Sequence, residues 1–469
     1  MTAQGSDDVV DQLKDRVSAV MPDTVEALKE LVRIPGCAFP DADFPGHDPA
    51  NIQRAADAVA ATLRAAGCPQ VELIDTGGNP PAVYAQVPGP EGAPTVLLYA
   101  HYDVQPPGNL DEWLSPPFEP TERDGRLYGR GAADDKSGIA LHYAVVKAFE
   151  GRPPCTLRII IEGDEEYGGS FEEFPPEHPA MFAADAIVIA DTGNVRVGQP
   201  TFTSALRGMG MVEVKVETLE APVHSGLFGG PAPDALMVLI KLLATLRDDN
   251  GDTVVAGLNG YDWQGAAWEE DDFREQAGVL ADQPLLGTGS VASRVFSRPA
   301  VSVVGIDAPR VEGAINAVIP SARAKVSLRV APNEDVGEAQ QRLMEHLESH
   351  APWGVTVSVT PGPIGQGFVG ADSGVVKDAM ADAMRASYGV DPVDIGSGGS
   401  IPLVSVLTDV APEAVILICG AQDTAAAIHA PNESLDLSEL EHAAQAEAVF
   451  VQLLADRSPG AAGGGSSAS

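Results

Sequence analysis

The sequence predicts an α/β fold, a sheet with helices on both faces, interrupted by an inserted α+β lid domain. Three observations carry this. Residues 95–100, 157–161, 186–190 and 414–419 are nearly continuous apolar runs of strand length, as in strands buried on both faces. Helix-like stretches separate them. From about residue 205 the pattern changes to strict alternation, at 211–217, 325–330 and 355–359, which suits antiparallel strands with one exposed face.

In chain order, residues 9–33 have the apolar spacing of a helix, with Pro22 suited to a first-turn position. Residues 137–149 read as another helix, which Asp134 and Asp135 could cap. Residues 234–247 read as an amphipathic helix of the lid. A helix near 373–387 resumes the α/β pattern. A chain of 469 residues is too long for one ordinary core. The expected organisation is a catalytic domain over 1–204 and 369–455, a lid over 205–368, and a Gly/Ser/Ala-rich disordered tail over 456–469.

Lys plus Arg number 29 and Asp plus Glu 67, for a net charge of −38. A nucleic-acid binder needs a basic face, and an anionic membrane would repel this chain. No apolar run reaches the roughly 18 residues of a membrane span. The acidic first eight residues predict no secretory signal. Cys37, Cys68, Cys155 and Cys419 are far apart, which favours isolated thiols in a reducing cytoplasm.

Five polar segments sit beside these elements: His101-Tyr102-Asp103, Gly131-Ala132-Ala133-Asp134-Asp135-Lys136, Glu162-Gly163-Asp164-Glu165-Glu166, Ala190-Asp191-Thr192 and His429-Ala430-Pro431-Asn432-Glu433. Taken singly, each has a bland reading as a structural histidine, a helix cap or a solvated turn. Taken together they place many ionisable groups at strand ends, where sites of open α/β sheets lie. Unpaired buried charges are unfavourable, and divalent ions are the simplest common partner. Imidazole and carboxylate are ligands of such ions. Two ions need a bridging carboxylate, and a free carboxylate beside the ligands can take a proton from a shared water. Asp103 is placed to orient His101.

These segments resemble the metallopeptidase family of carnosinase, carboxypeptidase G, aminoacylase and succinyl-diaminopimelate desuccinylase, over about residues 25–454. The resemblance implies one metal on His101 and Asp191, a second on Glu166 and His429, Asp134 bridging them, Glu165 as general base and acid, and Asp103 orienting His101. Residues 222–230, around His224, resemble the carnosinase-like segment whose histidine stabilises the oxyanion in the partner subunit's site. Residues 326–330 resemble the strand whose arginine, here Arg329, contacts substrate. Gly398-Gly399-Ser400 resembles the loop that holds the substrate carboxylate. Residues 261–306 resemble the longer dipeptidase lid. Two departures stand out: Gly396-Ser397-Gly398 replaces the Arg-Glu-Gly of many dipeptidases, and Ala317, after Asn316, replaces a frequent threonine.

The expectation is therefore a cytoplasmic metallopeptidase of the dipeptidase branch, with two divalent ions per chain, zinc first and manganese or cobalt as substitutes. Its substrate is a small peptide with a free carboxylate, and it forms a homodimer through the lid. The alternatives are an N-acyl-amino-acid or succinyl-diaminopimelate deacylase, and an inactive metal-binding scaffold.

Overall fold

The computed structural model describes residues 3–78, 80–168, 171–399 and 401–458. The chain forms two compact units. The first comprises residues 1–204, 370–394 and 406–469, and the second 205–369 and 395–405.

The first unit is built on a six-stranded sheet. Its order is Gln70–Ile74, Ala82–Val87, Thr156–Glu162, Thr95–His101, Ala186–Ile189, Val415–Ile418. The last four are mutually parallel, so their carboxyl ends share one edge. His101 lies opposite Glu162 in that register, and Ile189 pairs with both Tyr99 and Ile418. Val96, Leu98 and Ala100 face the main core, while Leu97 and Tyr99 are buried on the other side. Helices Ala3–Val32, Lys136–Ala148 and Leu437–Arg457 pack on one another around that core.

Pro22 lies inside the helix Ala3–Val32, not in its first turn. A proline there forfeits one ladder hydrogen bond. Burial of Val17, Met21, Leu28 and Leu31 along the same helix carries the backbone through it. The helix Leu437–Arg457 runs past the expected start of the tail, because Leu454 is buried and draws the last turn onto the core. Residues 459–469 lie outside the described residues.

The second unit has a four-stranded antiparallel sheet in the order Ala300–Asp307, Ser321–Val330, Gly208–Glu217, Val357–Gly365. Val212, Val214, Val216, Val326 and Leu328 bury one face against the helices Ala235–Leu243 and Val336–Ser349. Asp234 caps the first of these, accepting from the Leu236 and Met237 N–H groups. The alternating strands 211–217 and 325–330 pair with each other at the sheet centre. They therefore do not provide an open edge. Ala300–Asp307 is an edge strand, with Val303, Val304 and Ile306 exposed. Among the described residues no helix is long and apolar enough to cross a membrane.

Candidate metal centre

The parallel strands deliver their exit loops to one place. His101 ends its strand with its ring wholly buried. Its Nε2 lies 3.2 Å from Asp134 Oδ1 and 3.8 Å from Asp191 Oδ2. The other oxygen of Asp134 lies 3.0 Å from His429 Nε2, which is also 3.0 Å from Glu166 Oε2. Asp134 thus addresses two histidines with two oxygens, each histidine having a further carboxylate beside it. Donor atoms of His101, Asp134 and Glu166 lie within 4.8 Å of one another, as do those of His101, Asp135 and Asp191.

Neighbours hold these groups in place. His101 Nδ1 is 3.2 Å from Asp103 Oδ1, and Asp103 Oδ2 accepts from the Glu166 N–H at 3.1 Å. Asp135 caps the helix Lys136–Ala148 by accepting from the Gly138 N–H, and also accepts from the His101 N–H. The two adjacent aspartates divide the roles, since Asp135 serves the backbone and Asp134 turns to the histidines. Gln105 Nε2 donates to Glu166 Oε2 at 3.0 Å, and Gln422 Nε2 to Asp191 Oδ1 at 3.2 Å. Glu433, wholly buried, accepts from the Ala133 and Asp134 N–H groups and from Arg130 Nη1 at 2.6 Å. Sequence reasoning missed Gln105, Gln422 and the tie of Glu433 to Arg130. Their signal is only that they lie on the same strand-exit loops as the ligands.

The charges do not balance without a cation. Burial would lower the His101 proton affinity, yet Asp103, Asp134 and Asp191 raise it well above the usual histidine range. Asp134 and Glu166 push His429 up to about 10. Burial and then the charges of Asp134, Asp135 and Glu165 raise Asp191 well above the carboxylate range, against His101. The cluster draws protons because its carboxylates outnumber its cations. An oxygen- and imidazole-rich donor set with that demand fits divalent metal ions.

Glu165 stands apart. Its carboxylate makes no hydrogen bond among the described residues. Burial, then the charges of Glu166, Asp134 and Asp103, push it up to about 7 against the pull of His101.

The comparisons with known proteins converge on one family. The model of peptidase family M20/M25/M40 matches residues 97–453. A cysteinylglycine-S-conjugate dipeptidase of Corynebacterium striatum is 40% identical over 76% of this chain and 81% of its own. The chain belongs to the M20 peptidase family. Another relative, the human β-Ala-His dipeptidase, is 30% identical over 76% of this chain and 74% of its own. Among solved structures, human carnosine dipeptidase 1 superposes with a TM-score of 0.76 at 24% identity, covering 96% of this chain and 99% of that one. A metallo-carboxypeptidase from Sulfolobus solfataricus gives 0.77 at 21% identity, covering 92% and 99%. At these identities the two structures speak for the fold.

His224, Arg329 and Gly399, also singled out in this M20 peptidase, lie in the second unit. His224 is exposed on a short ribbon, directly opposite Ala317, and its Nδ1 accepts from the Gly226 N–H. Arg329 is half-buried on the strand Ser321–Val330, opposite Met209 and Ala300. Gly399 is exposed, its N–H donating to Ser397 Oγ. Ser400 lies outside the described residues.

Proposed function

We propose that this chain is a dipeptidase that uses two divalent metal ions to cleave the amide bond of a dipeptide or short peptide bearing a free carboxylate. The observation that carries the reading is the division of Asp134, one oxygen toward His101 and one toward His429, with a Glu165 carboxylate nearby that makes no hydrogen bond among the described residues. His101 and Asp191 would hold one ion, His429 and Glu166 the other, and Asp134 both. Bound there, such ions supply Lewis-acid polarisation of the scissile carbonyl and acidify water.

The chain's own groups do the rest. Glu165 takes the proton of the attacking water and passes it to the leaving amine nitrogen. A carboxyl raised toward neutrality suits both transfers. Asp103 fixes the His101 ring and the Glu166 backbone together. His224 of one protomer stabilises the oxyanion in its partner's site, and Arg329, Gly399 and Ser400 hold the substrate carboxylate. The dipeptidase names of the relatives support the substrate class. The exposed edge strand Ala300–Asp307 supports a homodimer through the lid. Four buried free thiols suit the cytoplasm. Zinc is the proposed metal, with manganese or cobalt as substitutes.

A substrate panel tests the reading. Dipeptides, including cysteinylglycine and β-alanylhistidine, are compared with N-acetyl and N-succinyl amino acids on metal-loaded protein. Turnover confined to the dipeptides is expected. Turnover confined to the N-acyl amino acids would make the protein a deacylase, and metal binding with no turnover at all would make it a scaffold.

A further inference from the structure

Two aromatic rings stand beside the metal centre and have no part in the proton and metal chemistry. Phe39 and Tyr167 meet edge to face, their ring centroids 5.2 Å apart at an interplanar angle of 75°. Both belong to the first unit, as do His101, Asp134, Glu166 and His429. Tyr167 is 49% exposed and Phe39 is half-buried. A single exposed ring is ordinary on a protein surface. A paired one next to a cluster of carboxylates and histidines is not, because it offers apolar surface where the neighbours offer charge.

Backbone ties hold both rings at the Glu166 side of the centre. Tyr167 directly follows Glu166, in a turn closed by the Gly168 N–H donating to the Glu165 carbonyl at 3.3 Å. On the Phe39 side, the Gly36 carbonyl accepts from the Val104 N–H at 3.1 Å, so this loop starts beside the segment that follows His101. Burial raises the Cys37 thiol, a hydrogen bond from the Phe39 backbone opposes this, and the charges of Asp103 and Glu166 then add to the rise. The thiol two residues before Phe39 thus lies close to both carboxylates. Further along the loop, Phe44 stacks on Phe118 at 5.7 Å and anchors it. The rings are therefore arranged before any substrate arrives, which lowers the entropic cost of using them. The Asp191 side differs, since Thr192 follows that ligand and Gln422 donates to it, both polar.

We propose that Phe39 and Tyr167 form an apolar wall at the Glu166 side of the metal centre, which receives the apolar side chain of one residue of the dipeptide. This rests on the dipeptidase reading and deepens it by naming the substrate class: dipeptides with a bulky apolar side chain are preferred over those built of glycine.

The test compares leucylglycine, glycylleucine and glycylglycine on wild type, Tyr167→Ala, Tyr167→Phe and Phe39→Ala. Metal content and thermal unfolding are measured alongside. Wild type should favour one of the leucine-bearing dipeptides over glycylglycine in kcat/KM. Tyr167→Ala should reduce that preference about 10-fold, the effect of uncovering roughly half a leucine side chain. The change should lie in KM, because ground and transition states lose the same contact. Phe39→Ala should act in the same direction. Tyr167→Phe should keep the preference, since the ring and not the hydroxyl makes the wall. A wild type without the preference, an unchanged preference in Tyr167→Ala, equal losses on all three substrates, or a loss in Tyr167→Phe overturns the wall and leaves the dipeptidase reading intact. A wild type that hydrolyses no dipeptide overturns both. If Tyr167→Ala does not fold, Phe39→Ala decides by the same ratio, and an unchanged ratio there overturns the proposal.

Discussion

The Asp134 N–H donates to the Glu433 carboxylate across 3.1 Å, so the residue that faces both histidines is fixed from behind by a wholly buried acid. The same carboxylate accepts from the Ala133 N–H and binds Arg130, whose guanidinium lies over the Trp113 ring. Glu433→Gln would keep the shape and lose the charge that Arg130 needs. We expect a fall in metal affinity of about 10–100-fold, typical of groups that orient ligands. Competition with a chelator measures it, and an unchanged affinity would reduce Glu433 to a structural role. Stability should fall by about 1–3 kcal/mol, seen in denaturant unfolding.

Metal stoichiometry separates the shared ligand from the unshared ones. Elemental analysis after dialysis and reloading should give about two ions per chain, as a dinuclear hydrolase requires. Asp134→Ala should lose both ions and His101→Ala mainly one. Full activity with one ion or fewer would defeat the two-metal reading.

Adjacent glutamates should behave differently. Glu165→Gln should retain its ions and fold while turnover drops about 10²–10⁴-fold, the usual contribution of a general acid–base group. Glu166→Gln should lower metal content as well. Near wild-type turnover by Glu165→Gln at saturating metal would show that another group moves the proton.

Assembly can be read by complementation. His224→Ala and Glu165→Gln, each inactive alone, should regain activity on mixing if every site borrows a histidine from its partner. Random exchange makes half the dimers mixed, each with one intact site, so recovery should approach about a quarter of wild type in a twofold assembly. No recovery after demonstrated exchange, or a fully active monomer, would return His224 to a structural role.

Much of the site is legible in the sequence because its residues follow strands that declare themselves. His101 follows the run 95–100, Glu165 and Glu166 follow 157–161, and Asp191 follows 186–190. Parallel pairing then brings those exits to one edge. What sequence does not carry is contact between remote segments. Arg130 meets Glu433 across 303 positions and Gln422 meets Asp191 across 231, and no local periodicity marks either. Sheet order is hidden for the same reason: the alternation at 211–217 and 325–330 marks one exposed face but not that these strands lie at the sheet centre. Pro22 misleads differently, since the packing of its neighbours overrides a local preference.

The loop that carries His429 turns at residues ill suited to it. Ala427, His429 and Asn432 have φ of 53°, 62° and 66°, the left-handed region that favours glycine. Asn432 clasps the loop through the Glu112 carbonyl and the Leu114 N–H. A non-glycine residue held in that region costs about 1–2 kcal/mol. Glycine at 429 would relieve the backbone but discard the imidazole that faces Asp134 and Glu166, so the contacts that make the site are also what hold the loop in its strained turn.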